Sequence, residues 1–242
     1  MDLENITVFQ DKGVVVVPGL LPKQLMAECL SDLIAFTDFD KPMADGNVVF
    51  ERLSGDRRLL KYFQHIQTYI ASFQRLYCST LLDAAEQLLG AKVYFSNMGL
   101  HDKAPHKGTA TPPHQDNFYW CLEPPCGLTA YVPLEKMSSE NGGISYLPGS
   151  HKTGVIDHEK GKVAAFSSAI VEETFDLSNF YRPELKPGDV AFHHANMVHA
   201  ADPNRSGNTR RALAVIIFGE PAKVSPKMKA VYRQNRRYNR AQ

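Results

Sequence analysis

The sequence predicts an α+β fold whose β part is a sandwich or barrel. Three observations carry this. Helical spacing is confined to the first ninety residues or so. From Lys92 onward the chain breaks into short strand-like runs. Those runs are separated by turn formers such as Pro124-Pro125, Asn141-Gly142-Gly143, Pro148-Gly149-Ser150, Pro187-Gly188-Asp189 and Pro203-Asn204. Helices first and many short strands after are the pattern of segregated layers rather than of alternating βαβ units. No internal repeat, low-complexity tract or linker interrupts the chain, so residues 1–242 read as one domain, long enough for a sizeable core.

Each element follows from local chemistry. Val14-Val15-Val16-Val17 is a β-branched run closed by Pro18-Gly19, hence a short strand. Leu20 to Phe36 carries apolar residues at helical spacing (Leu21, Leu25, Cys29, Leu33), with Pro22 suited to a first turn. A second helical region is expected from about Leu59 to Leu89, as two helices ending at the capping Gly90. Strands are then expected over Val93–His101, Pro113–Tyr119, Leu128–Leu134, Gly143–Leu147, Asp189–His193 and Arg210–Phe218. This gives a helical region at about 20–90 packed on a β core at about 91–219. Residues 152–186 lack a clear pattern and are too long for an ordinary connection, so they read as a functional lid or a partly structured segment. Residues 223–242 hold seven Lys/Arg and no acid, which reads as a solvated basic helix or tail.

Composition excludes several classes. With 43% hydrophobic and 22% charged residues the chain is neither disordered nor membrane-spanning, and no apolar run approaches the roughly 18 residues of a span. A formal net charge of +1 gives no global pull toward nucleic acid or membrane. Cys29, Cys78, Cys121 and Cys126 fit neither a disulfide framework nor a zinc knuckle, so they read as reduced thiols of a cytoplasmic protein. The N-terminus has no basic stretch followed by an apolar one, so no signal peptide is expected. A monomer or homodimer acting on a small molecule is the remaining expectation.

The chemistry lies in a split cluster: His114-Gln115-Asp116, then His199, then Arg210. Two imidazoles and one carboxylate are the ligand set of non-haem Fe(II) oxygenases, leaving positions on the metal open. If residues 113–119 form a strand, His114 and Asp116 point the same way with Cα atoms roughly 6.5–7 Å apart. Phe118 and Trp120 share that parity and are expected to line the pocket, with Gln115 and Tyr119 facing away. His199 is expected at the end of the strand that begins near Asp189, and a hairpin would fold Arg210 back beside it. Arg210 shares parity with Ala212 and Ala214, small residues that leave room inside a barrel, whereas Arg211 shares parity with Leu213, Val215 and Ile217. A permanently charged guanidinium beside a metal anchors a carboxylate co-substrate. Asn97, Gly99 and His101 alternate on the preceding strand, so Asn97 and His101 are candidate substrate contacts. Lys103, His106 and Lys107 read as a cationic loop near the mouth. His193 and His194 read as structural or pocket residues, because a fourth protein ligand would block the open metal positions; His151 reads as a turn stabiliser.

These residues resemble the phytanoyl-CoA dioxygenase-like (PhyH) family of Fe(II)/2-oxoglutarate-dependent oxygenases. The resemblance runs from about Phe9 to Phe218. It rests on the opening Phe9-Gln10-Asp11-Lys12-Gly13-Val14-Val15-Val16-Val17-Pro18-Gly19, on His114-Gln115-Asp116-Asn117-Phe118-Tyr119-Trp120, and on Glu140-Asn141-Gly142-Gly143 leading into Leu147-Pro148-Gly149-Ser150-His151. Pro187-Gly188-Asp189, His199, Asn204 and Arg210 complete it in order. The resemblance implies a double-stranded β-helix (jelly roll, cupin-like) core with flanking N-terminal helices. It implies that His114, Asp116 and His199 hold Fe(II), that Arg210 pairs with the distal carboxylate of 2-oxoglutarate, and that Tyr131 contacts that co-substrate. O2 is the remaining reactant. Two departures stand out: Tyr131 replaces the family's frequent Trp or Ser, and Ala201 replaces a frequent Ser. The implied activity is hydroxylation of an unactivated C–H of a small molecule, with release of succinate and CO2. Desaturation, cyclisation and epoxidation use the same oxidant. A non-catalytic metal-binding jelly roll is the competing class; a zinc hydrolase would need a general base that the sequence does not offer.

Overall fold

The computed structural model describes residues 1–52, 58–77, 79–163, 166–170 and 175–240. The chain opens with helix α1 (Leu3–Lys12), which the weak apolar spacing of that stretch does not announce. Its caps are nevertheless legible: the Asp2 side chain accepts from the Asn5 N–H, and Gly13 ends it in the left-handed region. Strand β1 (Val14–Val17) and helix α2 (Lys23–Ala35) follow, with Leu25, Met26, Cys29 and Leu33 buried along one helix face. Helix α3 (Asp40–Ala44), β2 (Val48–Arg52) and β3 (Arg58–Gln64) come next, then two short 3-10 turns and α4 (Ser79–Leu89).

Here the expected helix from Leu59 is corrected. Its first part is strand β3, paired with β2 on one side and with β4 (Val93–Lys103) on the other. The aromatic pair Tyr62-Phe63 exploits strand alternation: Phe63 is buried in the helix-covered core and Tyr62 faces the opposite, cavity side. Only Ser79–Leu89 is α-helical, and it does end at Gly90 with φ 64°.

The remaining elements are β5 (Thr111–His114), helix α5 (Asp116–Trp120), β6 (Leu122–Glu123), β7 (Gly127–Pro133), β8 (Ile144–Tyr146), β9 (Glu159–Val163), β10 (Phe166–Ala169), β11 (Val190–His194), β12 (His199–Ala201), β13 (Arg210–Gly219), β14 (Lys223–Val224) and α6 (Pro226–Arg240). A seven-stranded antiparallel sheet runs β1-β11-β7-β13-β4-β3-β2, and a three-stranded antiparallel sheet runs β5-β12-β8. Two ribbons, β9-β10 and β6-β14, complete the strands. The two main sheets enclose one cavity between them, which is a jelly roll.

Strand alternation divides the large sheet into two working faces. Leu213, Val215 and Ile217, with Leu128, Ala130 and Val132 on β7, point outward into the core formed with α1, α2 and α4. Burying each large aliphatic side chain contributes roughly 1.5–3 kcal/mol. The opposite parity, Arg210, Ala214 and Ile216 with Thr129 and Tyr131, lines the cavity. The face that carries Leu213, Val215 and Ile217 is therefore covered by helices.

Two connections differ from expectation. The chain from Asp189 to His199 is not one strand: β11 ends at His194, and β12 starts at His199 in the other sheet. Nor do β12 and β13 form a hairpin; Arg210 pairs with Lys103 of β4 across the large sheet. The segment between β8 and β11 is partly structured, with the β9-β10 ribbon beside β5. Residues 164–165 and 171–174 of that segment, and Cys78, lie outside the described residues.

Candidate active site

His114 and His199 sit directly opposite each other on β5 and β12, their ring centroids 4.1 Å apart. Each fixes its tautomer on a backbone carbonyl two residues earlier: His114 Nδ1 lies 2.9 Å from the Pro112 oxygen and His199 Nδ1 3.0 Å from that of Met197. With Nδ1 donating, each Nε2 presents a lone pair. Burial lowers the pKa of both imidazoles, and for His199 the neighbouring His114 and His193 add to it. A lowered pKa favours the neutral form, the one in which an imidazole can take a metal ion.

Asp116 arrives differently from the expected strand. Gln115 is extended, but residues 116–120 turn into α5. The carboxylate still reaches the two imidazoles, with Oδ1 4.0 Å from His114 Nε2 and 3.8 Å from His199 Nε2. One ligand atom from each of the three residues lies within 4.8 Å of the others. Oδ2 is held by the Thr129 hydroxyl at 2.7 Å and by His193 Nε2 at 3.2 Å. Burial alone pushes this carboxyl up; the surrounding His199, His193 and His114 outweigh it and hold the group well below the usual carboxylate range. Thr129 and His193 are the carboxylate's positioning partners. Their inward parity on β7 and β11 is a signal the sequence does carry, but it names no chemistry.

A buried amide network brings the three residues together. Gln115 Nε2 donates to the Gly154 and Asn196 carbonyls at 2.8 and 2.6 Å, and its Oε1 accepts the Ile156 N–H at 2.7 Å. Asn117 Nδ2 donates to Asn196 Oδ1 at 2.8 Å. The stretch flanking His114 and Asp116 is thereby tied to the chain just before His199.

The helix α5 also changes which rings face inward. A turn of roughly 100° per residue replaces the strand's two-fold alternation. Tyr119 and Trp120 line the cavity, whereas Phe118 does not. Phe118 is buried, stacked 4.0 Å from His158 and edge-on to Tyr232 of α6. The expectation for Phe118 is corrected on that ground. Tyr232 itself reaches the cavity wall, so the basic C-terminal segment is a helix with one side on the site, not a solvated tail.

Arg210 is 1% exposed, and its Nη1 donates to the Tyr131 hydroxyl at 3.0 Å. Among the described residues that hydroxyl is its one side-chain partner, and the buried Nε has none. Arg211, on the opposite face, pairs with Asp102 and Glu135. Asn97 and His101 both line the cavity, His101 between the rings of Tyr62 and Tyr131. Lys103 is corrected: it is buried on β4, and its Nζ donates to the backbone carbonyls of Ala201 and Asp202 rather than standing in a cationic loop. His151 contacts the Gln10 carbonyl at 3.2 Å and packs close to Gly13, bracing the α1–β1 turn as well as its own.

The cavity has a volume of about 700 Å³. A jelly roll around a His-Asp-His cluster defines the class: an iron- and 2-oxoglutarate-dependent oxygenase. The chain belongs to the phytanoyl-CoA dioxygenase (PhyH) family, whose sequence pattern matches residues 9–212. It is 28% identical over 218 residues to a probable alpha-ketoglutarate-dependent hypophosphite dioxygenase of Stutzerimonas stutzeri, covering 86% of this chain and 75% of that protein. It is 27% identical over 191 residues to an L-proline trans-4-hydroxylase of Streptomyces griseoviridis, covering 69% of each. Among solved structures it resembles the non-heme alpha ketoglutarate dependent epimerase SnoN from nogalamycin biosynthesis. That match has a TM-score of 0.71 and 25% identity, over 95% of this chain and 87% of the other. The protein is an enzyme that uses iron and 2-oxoglutarate. No helix among the described residues is long and apolar enough to cross a membrane.

Proposed function

We propose that His114, Asp116 and His199 hold Fe(II), that Arg210 and Tyr131 take the distal carboxylate of 2-oxoglutarate, and that the enzyme hydroxylates an unactivated C–H of a small molecule. The observation that carries this reading is the buried guanidinium of Arg210, with an unpartnered Nε and no carboxylate beside it among the described residues. Leaving such a charge unpaired costs several kcal/mol, so the site is built for an anion from outside. A purely structural metal site has no use for it.

When bound, iron and 2-oxoglutarate supply the oxidising power that activates O2. The chain's own residues do the rest. The two neutral imidazoles offer Nε2, and Asp116 offers Oδ1 while Thr129 and His193 keep Oδ2 occupied. Tyr131 orients the Arg210 fork. Ala200, Ala201 and Ala214 leave room along the cavity wall, and Ile144 and Ile216 keep water off it. A carboxylate at position 116 occupies the place that halogenating relatives leave open for chloride, which makes oxygen insertion the first choice.

The test is anaerobic addition of Fe(II) with and without 2-oxoglutarate, following the weak visible charge-transfer band of the chelate. The band is expected only with both present, and its absence would remove the assignment. Product mass then separates hydroxylation (one oxygen gained) from desaturation or ring closure (two hydrogens lost) and from epimerisation, the reaction of the epimerase SnoN (no change).

A further inference from the structure

We propose that the substrate is an uncharged, hydroxyl-bearing molecule with a ring or flat face, not an amino acid, a small oxyanion or an acyl-CoA thioester. This deepens the reading above and rests on it. Among the described residues only two fixed charges line the cavity, Asp116 and Arg210. The metal takes the first and the co-substrate's far carboxylate takes the second. His101, the remaining group near Arg210 that could carry charge, is held neutral, its pKa lowered to about 3 by burial and then by Arg210.

The charged side chains just behind the wall are already satisfied. Lys61 faces Glu51 at 3.8 Å, Lys103 is spent on two backbone carbonyls, and Asp102 is paired with Arg211 at 2.9 Å. A substrate carboxylate or ammonium entering here would lose its water and find no opposite charge among the described residues to replace it.

What the site does offer is neutral and directional. Along β13, Arg210 and Phe218 are eight residues apart, about 26 Å on an extended strand, so co-substrate charge and substrate contacts fall at opposite ends. At the Phe218 end Trp120 stands edge-on to Phe218 at 5.1 Å, and Tyr119 lies 5.8 Å from Tyr232. These four rings are only part-buried, and each shows surface to the cavity. In the rows of the large sheet between Arg210 and Phe218 stand the amides of Gln64 on β3, level with Ala214, and of Asn97 on β4, level with Ile216. Asn97 uses its oxygen on the Met98 N–H, which leaves its NH2 for a ligand; the Gln64 side chain has no protein partner among the described residues. Rings that cover a flat face and amides that address hydroxyls are the recognition chemistry of a neutral, oxygenated ring. The volume suits a small molecule of drug size beside the co-substrate.

The experiment uses the full chain loaded with Fe(II) and 2-oxoglutarate. A small-molecule extract of the source organism is passed over mixed-bed ion exchanger at neutral pH, and succinate release is measured with the neutral flow-through and with the acid and base eluates. The flow-through is expected to raise succinate release about fivefold or more, and the eluates are not. Stimulation confined to an eluate, or none from the flow-through, overturns the proposal. Trp120→Ala and Gln64→Ala are each expected to raise the half-saturating amount of flow-through about tenfold while the 2-oxoglutarate titration of the visible band moves less than about twofold. An unchanged response to flow-through in both variants overturns the placement. Loss of the visible band in the wild-type protein would instead count against the metal and co-substrate assignment itself, so the two failures are distinguishable.

Discussion

Arg210→Met separates co-substrate binding from folding. In the ligand-free protein the guanidinium is buried with one neutral partner, so its removal relieves a desolvation cost and leaves the Tyr131 hydroxyl short of one hydrogen bond, worth about 1 kcal/mol. These oppose each other, and the melting temperature of the free variant should stay close to wild type. With 2-oxoglutarate bound the balance differs. Truncating one partner of a buried charge pair costs about 3–5 kcal/mol, and each 1.4 kcal/mol is roughly tenfold in affinity, so binding should weaken by about 10² or more. At a concentration 100 times the wild-type Kd, 2-oxoglutarate stabilises the wild type by about 2.7 kcal/mol; a variant binding 100-fold more weakly gains about 0.4 kcal/mol. For a chain of this size that is roughly 5–10 °C of upward shift against roughly 1 °C. Thermal melts with a redox-inert divalent metal, with and without 2-oxoglutarate, read the difference directly. An equal ligand-induced shift in the two proteins, or parallel loss of metal affinity in the variant, would refute the role given to Arg210.

Three further outcomes follow from the site geometry. Asp116→Ala should abolish 2-oxoglutarate-dependent turnover, measured as succinate release; retained turnover would place the carboxylate ligand elsewhere. His193→Leu removes one of the two donors on Asp116 Oδ2 and should weaken divalent-metal binding about 10- to 100-fold, while His193→Gln, which keeps a donor, should recover most of it. Cobalt titration followed in the visible checks this, and identical affinities for the Leu and Gln variants would argue against the hydrogen bond. His158 is buried with Nδ1 2.8 Å from the Ile156 carbonyl and Nε2 accepting the Gln115 N–H at 3.0 Å, so it must stay neutral; burial lowers its pKa from 6.5 to about 4. Between those values the unfolded chain binds the extra proton, so stability is intact above about pH 6.5 and falls toward pH 4. The loss is roughly 3 kcal/mol, and a denaturant series across that window should show it shrink in His158→Gln.

Much of this site was legible because its chemistry is written in residue types at fixed offsets. A histidine and an acid two residues apart, a second histidine far along the chain, and then an arginine whose inward parity runs through Ala212 and Ala214 needed only a strand assumption to be aligned. Arg210 is buried and Arg211 ion-paired on the other face as that register requires. The assumption broke where the strand broke. Residues 116–120 form a helix because the buried Asn117 ties its backbone N–H to the Ala195 carbonyl and its side chain to Leu122 and Asn196. Those partners lie up to about eighty residues away, and no local pattern reports them. Strand β3 was hidden for the same reason. Leu59, Leu60 and Phe63 satisfy helical spacing while Leu59 and Phe63 also fit strand alternation, and pairing with β2 and β4 decides between them. Lys103 looked like part of a surface loop because its carbonyl partners, Ala201 and Asp202, arrive from the end of β12, about a hundred residues away.

The two halves of the cavity are held by different kinds of interaction, and their rigidity should differ accordingly. The metal half rests on two strands in direct register and on buried amides whose hydrogen bonds are satisfied, so His114, Asp116 and His199 face one another before any ion arrives. Opening it breaks several buried polar contacts at once, each costly without water. The outer half is closed by α5 and α6 through ring contacts around Tyr232, on a helix whose described polar side is exposed and basic. Such contacts are few and can be remade with a ligand ring in place of a protein ring. Preorganisation is therefore concentrated where the chemistry is common to the family, and adaptability where the substrate must be recognised. Hydrogen exchange should show this as slow exchange in β12 and fast exchange in α6.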